Sequence, residues 1–252
     1  MTTTIVTAYF QLEKSKKNHE TYLEWMQNML IIQSPMLIFC DKNSVKTIEE
    51  IRKDKATITK IIVIDFTEFY TYKYFNVFQY QYATKDHERY HNPYLYLVWS
   101  EKSHFLKRAV DMNYFSTDTF LWVDIGCFRR QNTEFIHWPK TDKIPTDKIL
   151  LLAVYPFTKE EYCTERLEHL PDFQYSPGKI GGTMFGGSAS SILKWHETFY
   201  QMLEYFITID RFIGKDQNIM SSVAIIHKDL VHLVDPKNDY YDQWFYLHKY
   251  LS

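Results

Sequence analysis

Three unbroken apolar runs in the first 66 residues, with a helical pattern between each pair, constrain this chain most. TTIVTAYF (3–10), MLIFCD (36–41) and KIIVIDF (60–66) carry the β-branched and aromatic residues that favour strands. Between the first two, Tyr22, Trp25, Met26, Met29 and Leu30 recur at the spacing of one helix face. Between the second two, Val45, Ile48 and Ile51 do the same. A strand apolar on both sides must be covered on both sides. Such strands alternating with helices predict a mainly parallel, Rossmann-type α/β sheet between helix layers.

The rest of the chain extends the pattern. An aromatic-rich insertion (67–93) reads as a helix and a loop packed by their rings. Helical spacing resumes from Tyr94 to Asn113, and TFLWVDIG (119–126) is a fourth strand. After a polar stretch (139–148), ILLLAVYPF (149–157) is a fifth strand and KEEYCTERLEHL (159–170) a helix. A long helix is expected from about 189 to 208, another opening in GKDQNIM (214–220), and a last strand in LVHLVD (230–235). The aromatic tail from Tyr240 should pack back on the body. No linker is long enough to separate two domains, so a single α/β domain is expected over residues 1–252.

Composition excludes several functions. With 29 basic and 31 acidic residues the net charge is −2, which argues against a nucleic-acid partner. Cys40, Cys127 and Cys163 form no CxxC, so neither a thiolate zinc site nor a disulfide framework is expected, and a reducing compartment fits. His87 and His91, at i and i+4, lie in a polar, aromatic stretch before Pro93 and are not read as a ligand pair. The start of the chain is too polar for a secretory signal, and the longest apolar run falls far short of the ~20 residues of a membrane span. The expectation is a soluble, cytoplasmic protein.

Four stretches carry chemistry. In FLWVDIGCFRR (120–130), Asp124 closes an apolar strand, and ligands of open parallel sheets bind outside the strands' carboxyl ends. An acid there can hold a hard cation or accept hydrogen bonds from sugar hydroxyls, or it can simply begin a turn that uses Gly126. In GKDQNIM, Asp216 at a helix start is either a cap or a general base. GGTMFGGS (181–188) is either a pair of turns or a backbone wall against which a flat ligand can lie. It matches neither GxGxxG nor the Walker loop. In VWSEKSHFLKRA (98–109), Lys102 comes early in a helix that leads towards the Asp124 strand. For this cation, as for Lys107 and Arg108, a solvated helix face is the alternative.

Taken in order, IVTAYF, LYLVWSEKSHFLKRAV, FLWVDIGCFR, GGTMFGGS and GKDQNIM resemble the HtrL/YibB (WlaTC/HtrL) family of glycosyltransferase-like proteins, from about Ile5 to Phe245. The resemblance implies a GT-A fold, with a nucleotide-binding half over about 1–126 and an acceptor-binding half over 127–252. It implies a glycosyltransferase that uses a nucleoside diphosphate sugar, such as a UDP-sugar, and a glycan or protein acceptor. Thr7, Ala8 and Tyr9 would then lie beside the nucleotide, with Gly186, Gly187 and Gln217 also at the donor. Asp124 and Gly126 stand where GT-A enzymes carry a DxD-type motif, and Asp216 where inverting members carry their base. A divalent cation, Mn2+ or Mg2+, would be held by Asp124 and His248. The motif here is Asp-Ile-Gly, with one acid instead of two, so Lys102, Arg129 and Arg130 are candidates to replace the metal. The missing acid also keeps open a descendant that binds a glycan or protein without catalysis. A phosphatase with Asp124 as nucleophile would want a second nearby acid, which VDIGC lacks.

Overall fold

A computed structural model describes residues 2–14, 17–88, 90–130, 133–175, 178–236 and 239–252. Its strands are β1 (Thr3–Tyr9), β2 (Met36–Cys40), β3 (Thr59–Val63), β4 (Thr119–Val123), β5 (Ile149–Ala153), β6 (Ile180–Ser188) and β7 (Val231–Val234). Its helices are α1 (His19–Leu30), α2 (Val45–Arg52), α3 (Phe75–Thr84), α4 (Pro93–Met112), α5 (Lys159–Tyr162), α6 (Ala189–Thr208), α7 (Asp216–Ile226) and α8 (Tyr246–Tyr250). The strands form one seven-stranded sheet of order β3-β2-β1-β4-β6-β5-β7. Every neighbouring pair is parallel except the two made by β6. The order therefore runs outward in opposite directions from β1 and β4, and the carboxyl ends of these two strands flank the reversal.

The apolar strands are divided residue by residue between two cores. Val6, Ala8, Phe120 and Trp122 face a layer that includes Phe105 of α4, Trp195 and Phe199 of α6, and Val223 of α7. Ile5, Tyr9, Leu121 and Val123 face Met26 and Met29 of α1, Ile48 of α2, and Phe245 and Leu247 of the tail. This is the two-sided covering that the absence of polar alternation demanded. Arg52, 1% exposed, fastens the base of the second layer. Its guanidinium donates to the carbonyls of Leu30, Ile32, Ser34 and Ile58 and to Thr59 Oγ1, with no carboxylate among those acceptors.

The aromatic insertion is tied to α4 by Glu101. Its buried carboxylate accepts from the backbone N–H groups of Tyr70 and Thr71 at 2.9 Å each, and from Thr71 Oγ1 at 2.7 Å. Burial pushes this carboxyl up to about 7.

Two local readings are revised. GGTMFGGS is not a pair of turns but the body of β6, a continuous nine-residue strand. Glycine is required there by close approach: a Cβ on Gly186 would lie 2.2 Å from the Phe120 carbonyl oxygen, and one on Gly187 2.6 Å from that of Lys148. The register between β5 and β6 shifts beside this point, as expected where backbones crowd. The helix expected over 159–170 stops at Tyr162, followed only by a single 3-10 turn at Leu167–His169. Tyr162 and Leu167 remain exposed, so no buried face supports a longer helix.

Candidate functional site

A cavity of about 900 Å³ opens at the carboxyl ends of β1 and β4. Ala8, Tyr9 and Phe10 line it from the end of β1; Asp124, Ile125, Gly126 and Cys127 line it from the turn after β4. Rings form its sides: Tyr22 and Trp25 of α1, Trp99 of α4 and Phe245 from the tail. Trp25 and Tyr22 fit the helical spacing of α1 as well as its core residues do, so periodicity alone could not separate the wall of a cavity from the core. A Cβ on Gly126 would come within 3.1 Å of both the Tyr22 and Trp25 rings, so glycine keeps this turn close to the aromatic wall.

The polar centre is Lys102, placed by the first half of α4. Asn92 caps that helix, accepting from the Leu95 N–H at 3.0 Å, and Pro93 starts it with a preset φ. Two and a half turns later Lys102 is 4% exposed. Its Nζ lies 3.1 Å from Asp124 Oδ1, 3.0 Å from Asp216 Oδ2 and 2.9 Å from the Gly182 carbonyl oxygen. Burial alone would depress the ammonium, but the two carboxylates outweigh it and hold its pKa above the ordinary lysine value. The approach of Asp216 depends on Gly182, where a Cβ would stand 2.6 Å from Asp216 Oδ2.

Asp124 presents 32% of its side-chain surface, on the cavity side. Trp122 Nε1 donates to its Oδ1 at 2.8 Å, and the Thr183 carbonyl accepts from its backbone N–H at 2.8 Å. Burial at the cavity floor raises this carboxyl above the ordinary aspartate value, against the pull of Lys102 and Trp122.

The residues expected from the sequence fall into two groups. Ala8, Tyr9, Lys102, Asp124 and Gly126 line the one cavity, as does Arg129. Thr7, Gly186, Gly187, Asp216, Gln217 and His248 are absent from its lining. Thr7 is wholly buried. Asp216, 5% exposed, sits behind Lys102; its Oδ1 accepts from the Gln217 N–H. His248 is 3% exposed and stacks on Phe128 with ring centres 4.0 Å apart. Burial depresses its imidazole to about 3, and its Nε2 has no hydrogen-bond partner. Arg129 is held between two ring faces, its guanidinium carbon 4.8 Å from the Trp25 centroid and 4.7 Å from that of Phe245.

Among the described residues, one group of three side chains could hold a metal ion: Asp86, Glu88 and His91, whose ligand atoms lie within 4.8 Å of one another. Glu88 and His91 also line the cavity. Each member already has partners. His91 Nδ1 is 2.5 Å from Asp86 Oδ2 and its Nε2 3.2 Å from Glu88 Oε2. The Tyr96 hydroxyl donates to Asp86, and Lys215 pairs with Glu88. Despite burial, those donors hold the Asp86 carboxyl below its ordinary value. The sequence reading weighed His91 only against His87 and missed its acidic neighbours at i−5 and i−3.

Comparison with known proteins agrees with this architecture. Residues 1–250 match the family described as "Bacterial protein of unknown function (HtrL_YibB)". The chain is similar to Protein HtrL of Escherichia coli (strain K12), 25% identical, with 92% of this chain and 87% of that protein covered. Among solved structures it resembles mouse xyloside xylosyltransferase 1 in its apo form, with a TM-score of 0.50, 12% identity, and 100% of this chain and 94% of that one covered. At that identity the likeness shows a shared fold, that of a glycosyltransferase. No helix among the described residues is long and apolar enough to cross a membrane.

Proposed function

We propose that this chain, which belongs to the HtrL/YibB family over residues 1–250, is a glycosyltransferase that moves a sugar from a nucleoside diphosphate donor to a hydroxyl of a glycan or protein acceptor. The observation that carries the reading is the cavity at the reversal of strand order, with Asp124 on its floor and aromatic rings on its sides. Ligands of open α/β sheets bind at this point. Rings such as Trp25, Tyr22 and Trp99 offer flat apolar faces to a base and a sugar, and Asp124 offers a carboxylate to sugar hydroxyls. The likeness in fold to a xylosyltransferase supports the same reading.

In such a reaction the bond between the sugar carbon and the diphosphate oxygen breaks, and its electron pair leaves on the diphosphate. A new bond forms from the acceptor oxygen, whose proton is released. Asp124 is assigned to the donor and Lys102 to holding Asp124 in place. Asp216 was expected to take the acceptor proton. Its burial behind Lys102 favours a positioning role instead, as the second anchor of that ammonium. Thr7, Gly186 and Gly187 then support the site through the sheet, as buried members of β1 and β6.

A divalent cation fits poorly around Asp124. Both Asp124 oxygens face Lys102, one also accepts from Trp122, Gly126 supplies no side-chain oxygen, and His248 is buried among rings. The Asp86–Glu88–His91 group offers a more suitable mixed oxygen and nitrogen donor set, on the cavity rim.

The test is a panel of nucleotide sugars, with and without Mn2+, scored for donor hydrolysis and for transfer to glycan acceptors. At least one donor should be consumed, and Asp124→Ala should abolish its turnover. Inertness across the panel would reject the enzyme. Glycan binding that survives Asp124→Ala would then favour the second reading, a binding module without catalysis, which the single acid of Asp-Ile-Gly motivates.

A further inference from the structure

We propose that the cation meeting the anionic end of the cavity's ligand is the Arg129 guanidinium, and that a diphosphate binds there without a divalent ion at Asp124. The inference rests on the glycosyltransferase reading above.

Three observations lead to it. The first is that the place between Asp124 and Asp216, where two carboxylates would share a metal, is already filled by the Lys102 ammonium. The second is that Lys102 is already engaged: it donates to Asp124 and to the Gly182 carbonyl, and it is ion-paired at 3.0 Å with Asp216 Oδ2, an oxygen with no hydrogen-bond partner. Two carboxylates against one ammonium leave the cluster with a net negative charge, which repels a diphosphate unless another cation stands close. The third is Arg129. It lines the same cavity, is exposed, and has no carboxylate partner among the described residues. Trp25 and Phe245 fix its plane at 4.8 and 4.7 Å. A guanidinium held by ring faces keeps its N–H edge free for two phosphate oxygens at once, and it gives up little rotamer freedom on binding. Lys14 and Lys17 add positive charge at the same cavity.

The geometry also gives the two arginines after Gly126 different duties. Arg129 lines the cavity between its two rings, whereas Arg130 is absent from the lining. The aromatic sandwich, rather than the charge count of the motif, singles out the useful cation.

The test is calorimetric titration of the full chain with UDP, GDP, ADP and CDP, and with inorganic pyrophosphate, in EDTA and again with Mn2+. At least one nucleoside diphosphate should bind in EDTA, with an affinity within about threefold of that in Mn2+. Arg129→Gln should weaken that binding by about tenfold or more, the factor expected for one lost charge-assisted hydrogen bond, and Arg129→Lys should recover part of it. Both variants should remain folded, with Arg129→Gln lowering Tm by no more than a few degrees, the loss expected for its two ring contacts. Binding that appears only with Mn2+, or that Arg129→Gln leaves unchanged, overturns the proposal and leaves the glycosyltransferase reading standing. Failure of every nucleoside diphosphate in both buffers overturns the two together.

Discussion

Lys102→Met tests whether the ammonium holds the site together. Methionine keeps most of the apolar stem and removes the charge that three acceptors share. Removing one partner of a buried ion pair costs about 3–5 kcal/mol, because the remaining charge is left without compensation. The two remaining carboxylates are not equivalent. Asp124 keeps 32% of its side-chain surface open and can be solvated from the cavity, whereas the Asp216 side chain is 7% exposed and cannot. Most of the loss should therefore reside in Asp216. Lys102→Met is predicted to lower the unfolding free energy by about 3–4 kcal/mol, and adding Asp216→Asn to recover about half of that. A domain's stability of about 5–15 kcal/mol should survive the single change. Urea unfolding followed by tryptophan fluorescence and by far-ultraviolet circular dichroism reads both values, with an unchanged m value as the control. A single-variant loss below about 1 kcal/mol would refute the reasoning, since exposed pairs contribute no more than that. So would a double variant no more stable than the single one.

Two further changes probe the frame around the site. Gly186→Ala should destabilise by about 3 kcal/mol or more, because its methyl would meet the Phe120 carbonyl oxygen at 2.2 Å. Gly126→Ala, whose neighbours are ring edges at 3.1 Å, should cost clearly less in the same urea assay, and equal costs would contradict the packing argument. His248→Phe should remove part of the protein's sensitivity to acid. The folded imidazole is depressed to about 3 by burial, so the unfolded chain binds that proton first. The stabilisation is complete above about pH 6.5 and is lost as the pH falls towards 3, the loss reaching about 2 kcal/mol at pH 5. The urea midpoint of wild type should therefore fall further between pH 7 and pH 5 than that of the variant, and equal falls would show that His248 titrates freely.

Much of the fold was legible because apolar runs and helical spacing are local signals. The runs of β1, β2, β4 and β5 could be read directly, since each is buried throughout and carries no alternation to confuse, and that of β3, a half-buried edge strand, was read from its β-branched residues. β6 was not, because five glycines within a short stretch are the usual signature of turns, whereas Gly186 and Gly187 are there because the backbone of β4 and of Lys148 presses against them, and Gly182 because Asp216 does. Of the site, Asp124 was readable as an acid that ends an apolar strand. The Lys102–Asp216 contact was not, because it joins residues 114 apart through a gap that Gly182 leaves. Trp25 and Trp99 were indistinguishable from core residues, since a helix face turned to a cavity has the same spacing as one turned to the core. The Asp86–Glu88–His91 group escaped because His91 was weighed only with His87 at i−4, although Glu88-x-x-His91 is itself a ligand spacing.

The most direct measurement is the structure of the protein bound to a nucleoside diphosphate. The ligand should lie in the cavity after β1 and β4, its base and ribose against the aromatic walls, Asp124 in contact with the donor end, and phosphate oxygens on Arg129. A nucleotide seated anywhere else on the molecule, with Asp124 still bonded only to Lys102 and Trp122, would contradict the proposed function.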